Sequence, residues 1–323
     1  MSKKQTKTMR EVLIEQIYNR MHNNDKIIFL SDDFGAVALD KLRKKFRDRF
    51  INVGIAEQNL INLSTGLALE GFIVYAYGIA PFLSMRDYEQ VRVNLALLSQ
   101  IKKINVNLIS VGAGLSYDLS GPTHQCFEDI ILMRVLPNIM LFSPSDWVLT
   151  EKFVDFSINV KKPKYIRLDG KPSPQIYNNK KINLENGFCE LIKGERICIV
   201  STGFITHKAL KVTNKLKNKI SVGVIDLFLL KPVNEDLLFD SLKKYESVIT
   251  IEEAFIGKGG LDSLISDLLN KKHSNIKLKK IGLEDRYVFN IGSRNYLHKL
   301  HGLDEENIIK VIEDSLLKLQ TEG

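Results

Sequence analysis

Short apolar runs alternate with amphipathic stretches from about Met9 to Tyr177, the pattern of an open parallel sheet covered by helices. The runs predict strands at Ile27–Ser31, Phe72–Tyr77, Asn105–Ser110, Ile139–Phe142 and Lys164–Leu168. Within Ile55–Leu69, Ala56, Leu60, Leu63 and Leu67 recur at helical spacing, so one face of that helix is apolar. A polar stretch with two prolines, Lys171–Gly187, interrupts the alternation and reads as a linker. The pattern then resumes with strands at Ile197–Ser201, Ser221–Asp226, Ser247–Glu252 and near Ile276–Ile281. Helices are predicted at Thr206–Lys217, Asn234–Lys244, Gly260–Asn270 and Glu305–Leu319. The expectation is an α/β chain of two three-layer domains with mainly parallel sheets: residues 1–175, a linker at 176–190, and a smaller domain at 191–323.

Composition changes this picture little. The chain has 323 residues, of which 44% are hydrophobic and 26% charged, which is a globular balance and not a disordered one. No apolar run reaches the ~18–20 residues of a membrane span, and the basic N-terminus has no apolar stretch followed by a cleavage site. No membrane association and a cytoplasmic location are therefore expected. Cys126, Cys189 and Cys198 are scattered and form neither a disulfide framework nor a metal knuckle. The net charge of +8 would suit nucleic acid if it were clustered, but the lysines are dispersed among acids and apolar residues. No nucleic-acid partner is expected; solvated helix faces or a phosphorylated substrate account for the charge.

Three segments carry candidate chemistry. The extended run Ile51–Val53 feeds a helix predicted to start near Ile55, which places Glu57 in the first turn, where the helix dipole favours a carboxylate. A glutamate there is ordinarily a capping acid; the apolar residues before it and the small Ser64, Thr65 and Gly66 along the helix make it a candidate for proton chemistry. In APFLSMRDYEQVR, Phe82, Met85 and Tyr88 recur at three-residue spacing. Such a stripe is ordinarily core, but facing a cleft it would offer a platform for a flat heteroaromatic ring. The glycine-rich VGAGLSYDLSGPTHQCFEDI lacks the third glycine of a dinucleotide fingerprint. It predicts a helix beginning about His124, with Thr123 as cap, and puts His124 where open α/β sheets hold ligands. In the second half, the GKGG turn beside Glu252 and Glu253 reads as packing and dimerisation structure in preference to an anion site, and His207, His273, His298 and His301 read as solvated.

In this order, NVGIAEQN, PFLSMRDYEQVR, GPTHQCFEDI, MRVLPNIMLFSPSD and YIRLDG resemble the pyrimidine-binding domain of the transketolase family. The segments ICIVSTGFITHKAL, VIDLFLLKP, VITIEEAFIGKGGL, IGLEDRYV and HGLDEENI are similar to that family's C-terminal domain, so the likeness runs from about Leu30 to the end. It implies thiamin diphosphate chemistry and transfer of a two-carbon ketol unit from a ketose to an aldehyde. By the same resemblance Glu57 hydrogen-bonds the aminopyrimidine ring, Phe82 stacks on it with Met85 and Tyr88 completing the wall, and Asp33 lies near the cofactor. His124 would face substrate oxygens, and Arg167 would meet a substrate phosphate.

The departures carry information too. Gly112 and Ser120 stand where many transketolases have a His and an Asp that contact sugar hydroxyls. The substrate-contacting position Ser120 therefore points away from ordinary pentose phosphates, toward another ketose, a deoxy sugar or a nucleotide-linked sugar. The family's GDG motif, which with a later Asn holds the diphosphate and Mg²⁺, does not occur here, and no metal ligand is assigned to this chain. The resemblance then implies a split enzyme, in which this chain is the C-terminal (beta) subunit and an N-terminal subunit carries the diphosphate and metal site in a two-plus-two heterotetramer. Two other readings are a decarboxylating relative, like deoxyxylulose-phosphate synthase or a 2-oxo-acid dehydrogenase beta subunit, and a non-catalytic scaffold subunit.

Overall fold

Seven strands form the first sheet, in the spatial order Leu229–Lys231, Met140–Phe142, Lys164–Leu168, Asn105–Val111, Ile73–Ile79, Ile27–Ser31 and Phe50–Asn52. The six from the first half of the chain are parallel. Their interior positions are buried on both faces, as in Asn105–Val111, where all seven residues are buried, because helices cover the sheet on each side. The computed structural model describes residues 6–33, 35, 37–178 and 182–321. A second sheet, in the order Lys277–Leu283, Ser247–Phe255, Ile197–Ser201, Val222–Leu227 and Phe188–Ile192, is parallel except for the last strand. That last strand begins inside the stretch read as linker.

The two halves are joined by more than a linker. Leu229–Lys231, from the second half, pairs antiparallel with Met140–Phe142 and so completes the first sheet's edge. Asp226, at the carboxyl end of Val222–Leu227, accepts from Ser145 Oγ at 2.5 Å and from Tyr177 Oη at 2.7 Å, which ties the second domain to the first and to the segment between them.

Two local expectations are corrected. The helix predicted to begin about His124 begins at Asp129. Amides of His124 and Gln125 both turn back onto the Gly121 carbonyl, at 3.1 and 3.2 Å, and an antiparallel bridge between Gly114 and Cys126 then pulls the chain into extended form. Thr123 consequently caps nothing; its hydroxyl meets His124 Nδ1 at 3.0 Å. The stripe of Phe82, Met85 and Tyr88 is not one helical face either, since Ala80–Met85 ends before Asp87, whose φ of −111° and ψ of 15° lie outside the helical region, and a separate turn starts at Tyr88.

Candidate functional site

In the first sheet, Ile27–Ser31 lies between Phe50–Asn52 and Ile73–Ile79, so the chain that leaves it for one neighbour returns on the other side. Open parallel sheets hold ligands at such a reversal, beyond the carboxyl ends of the strands. Three segments issue there: Asp32–Asp33, the loop leading to Glu57, and the helix Ala80–Met85.

Asp33 adopts φ 67° and accepts from Asn52 Nδ2 at 2.7 Å, while Asn52 Oδ1 accepts from the Gly54 amide at 2.9 Å. These bonds shape the turn that delivers Glu57. Glu57 is the first residue of the helix Glu57–Leu69, with no side-chain cap from Ala56, and its carboxylate is 6% exposed. Its Oε1 accepts from Arg86 Nη1 at 2.7 Å. The Arg86 guanidinium also covers the Phe82 ring, 3.9 Å from its centroid. The His124 ring stands edge-on to Phe82 at 5.4 Å, and Tyr117 stands 6.5 Å beyond His124. Glu57, Phe82 and His124, more than forty residues apart at their extremes, are thus gathered at one point. Sequence reasoning missed Arg86; its place four residues after Phe82, the spacing of helix-face neighbours, was the available signal.

Other predicted residues lie differently. Met85 is exposed. Tyr88 donates to the Leu132 carbonyl at 3.0 Å, which holds it against the helix Asp129–Val135 and apart from the Glu57 cluster. Ser120 is exposed in a turn where its amide donates to the Tyr117 carbonyl at 3.1 Å. Arg167 is buried; its Nε donates to Asp129 Oδ2 at 2.8 Å and its Nη2 has no hydrogen-bond partner. Gly112 has φ 108°, and a Cβ there would run into the Tyr117 ring, so a side chain at this position would strain the backbone and displace that ring. Beneath the cluster, Asp87 is buried with neither carboxylate oxygen paired, and burial, reinforced by Glu57 and Asp32, pushes it well above the usual carboxylate range.

The second domain corrects the reading of His298. It is fully buried, with Nε2 2.5 Å from Glu253 Oε1 and Nδ1 against Lys208, because a carboxylate 45 residues away folds onto it. Glu252 caps the helix Leu261–Lys271, accepting from the Leu261 and Asp262 amides at 2.7 and 2.8 Å. The Gly257 and Gly259 amides are taken by Asp262 and Ser263. Two of the GKGG amides are thus spent on neighbouring side chains and are not offered to an anion.

A flat aromatic ring bearing a basic nitrogen fits this arrangement: a buried carboxyl at its edge, the Phe82 face beside it, and an imidazole at the rim. Arg86 must give way for it. Among the described residues no group of three or more His, Cys, Asp or Glu is placed to hold a metal ion, and no helix is long and apolar enough to cross a membrane.

Residues 5–171 match the pyrimidine-binding domain of transketolase and residues 190–308 match the transketolase C-terminal domain. The chain is 32% identical over 303 residues to an apulose-4-phosphate transketolase subunit of Actinobacillus succinogenes, covering 93% of this chain and 96% of that one. It is 28% identical over 304 residues to the transketolase of Mus musculus, covering 92% of this chain but 47% of that one. A solved split-gene transketolase, described as an inactive beta4 tetramer, superimposes with a TM-score of 0.85 at 31% identity, over 96% of this chain and 98% of the other.

Proposed function

Since the chain belongs to the transketolase family, we infer that it is the C-terminal subunit of a split transketolase that moves a two-carbon ketol unit from a ketose to an aldehyde with thiamin diphosphate. The observation that carries this reading is the meeting of Glu57, Phe82 and His124 at the reversal point of the sheet. Thiamin diphosphate, when bound, supplies a nucleophilic carbon and an electron sink.

The residues of this chain would do the rest. Glu57, released from Arg86, holds a proton between its carboxyl and the pyrimidine ring nitrogen. Phe82 stacks on that ring, and Asp33 keeps the Asn52–Gly54 turn in the shape that presents Glu57. His124 donates to or accepts from substrate oxygens at the rim. Met85 borders the platform, and Ser120 meets the sugar at the outer turn. Arg167, its Nε engaged by Asp129, would present its remaining guanidinium donors to a substrate phosphate. Gly112 and Ser120, where many transketolases have residues that contact sugar hydroxyls, favour a ketose outside the ordinary pentose phosphates.

The site is completed by another chain in this reading. Ile55 and Met85 flank Glu57 and Phe82 in sequence and are 77% and 41% exposed, a large apolar exposure beside a buried carboxylate. An N-terminal subunit bringing the diphosphate and Mg²⁺ would cover them, in a two-plus-two assembly. Among the described residues the three cysteines form no disulfide, which suits the reducing cytoplasm. Calorimetric titration of thiamin diphosphate with Mg²⁺ into this chain alone, and into its complex with the N-terminal partner, tests the reading. Binding only by the pair supports it; tight binding by the single chain, or none by the pair, refutes it.

A further inference from the structure

The loop that carries His124 is held from outside its own domain. Gly112 and Ala113 leave the sheet with their amides on the Leu168 carbonyl, at 2.9 and 3.1 Å, and the loop closes where Gly114 and Cys126 bond to each other. From the second domain, the Glu253 carboxylate enters this closure: Oε2 accepts from the Leu115 amide at 3.1 Å, and Glu253 lies so close to Gly114 that a Cβ there would collide with it. Arg294 grips the same carboxylate through Nε at 2.7 Å and through Nη2, while its Nη1 reaches Asp169 Oδ2 of the first domain at 2.5 Å. The Arg294 amide donates to Asp118 Oδ2 of the loop at 2.7 Å. Asp169 Oδ1 in turn accepts from Ser116 Oγ of the loop at 3.3 Å. At the far end, the Phe127 ring stands edge-on to Phe255 of the second domain, 5.4 Å between centroids. The second domain thus holds the loop at Leu115, Asp118 and Phe127, on both sides of His124.

The network is buried and fully committed. Arg294 and Glu253 are each under a tenth exposed, and the guanidinium lies 3.8 Å over the Phe204 ring. Its polar groups close on one another in one arrangement, and buried charges that lose a partner are costly, so the arrangement resists drift. None of these side chains reaches the Glu57 cluster. What they set is where the loop, and with it the imidazole edge, stands against Phe82.

We propose that Glu253 and Arg294 are positioning residues for His124, so that the C-terminal domain serves the site of the first domain by latching its glycine-rich loop. The proposal rests on the transketolase reading only for what His124 does once placed. Arg294→Lys keeps a positive charge between the carboxylates but cannot grip both, and Asp118→Asn loosens the loop's own side of the latch while leaving the Arg294–Glu253 pair intact.

The test is hydrogen exchange on the full chain, residue 112–128 amides against those of the helix Trp147–Asn159, together with the NMR chemical shifts of the His124 ring protons at one fixed pH, assigned by His124→Gln, which read its place beside the Phe82 ring. Expected is exchange in 112–128 faster by roughly tenfold or more with the helix unchanged, and displaced His124 ring-proton shifts. In the assembled enzyme kcat should fall by about tenfold to a hundredfold, with a smaller change in KM. Unchanged loop exchange and unchanged His124 ring-proton shifts in a folded variant overturn the proposal, as does faster exchange spread equally over loop and helix. If Arg294→Lys does not fold, Asp118→Asn decides by the same readings. A freed loop in the variant, with a parent complex that itself transfers no ketol unit, would leave the latch standing and sink the transketolase reading instead.

Discussion

Glu57 and Arg86 pose the sharpest question at the scale of single residues. The buried carboxylate proposed to share a proton with a ring nitrogen is, in this structure, paired with a guanidinium at 2.7 Å. The partner is half-exposed and sits on the ring face that a cofactor would take, so the same displacement that uncovers Phe82 also frees Glu57. Glu57→Gln keeps the shape and the hydrogen-bonding capacity but cannot lend the proton. Ketol transfer by the assembled enzyme should drop by about a hundredfold or more, while the variant folds and assembles normally; activity within a few-fold of the parent would show that the carboxyl has no part in the chemistry. Glu57 was legible in the sequence because a helix start is a local signal. His298 was not, because its burial depends on Glu253 and Lys208, which no spacing along the chain connects to it.

Elements were read well where their causes are local. Ile27–Ser31, Lys164–Leu168 and Ile197–Ser201 have the predicted bounds, since short apolar runs between polar turns specify buried strands directly. The start of the helix after His124 failed because the bridge to Gly114, a contact made at distance, outweighs the local turn chemistry. Helix Leu261–Lys271 shows the opposite balance: Gly260 supplies no cap, and Glu252 from the preceding strand does so instead. Burial pushes Glu252 up to about 7 in spite of its two amide bonds. The folded chain therefore keeps a proton that the unfolded chain releases between the usual glutamate value of 4.5 and about 7. The unfolded state binds fewer protons in that window, so this group's contribution to stability declines as pH rises through it. Thermal midpoints measured from pH 5 to pH 7 should fall less steeply for Glu252→Gln than for the parent; parallel profiles would show that Glu252 is ionised throughout.

At the scale of the whole molecule, the two domains share structure that the linear pattern divides. The polar stretch between them looks like a linker in sequence, yet Tyr177 within it is buried and bonded to Asp226, the first sheet borrows the strand Leu229–Lys231, and Arg294 spans carboxylates of both halves. Each of these contacts joins residues more than forty positions apart, which is why the alternation of apolar runs could count the domains but not show how tightly they are bound. Unfolding one half would leave Asp226 without its donors from Ser145 and Tyr177, Glu253 facing no loop amide, and an open strand edge at Met140–Phe142. Buried polar groups so stranded cost about 1–3 kcal/mol each, more where they are charged. A half-folded species is therefore disfavoured from both sides, and the chain should melt as one unit. Differential scanning calorimetry is expected to give a single transition with calorimetric and van't Hoff enthalpies in agreement. Two resolved transitions, or a ratio well above one, would mean that the domains fold separately and that the contacts between them are too weak to hold the His124 loop in place.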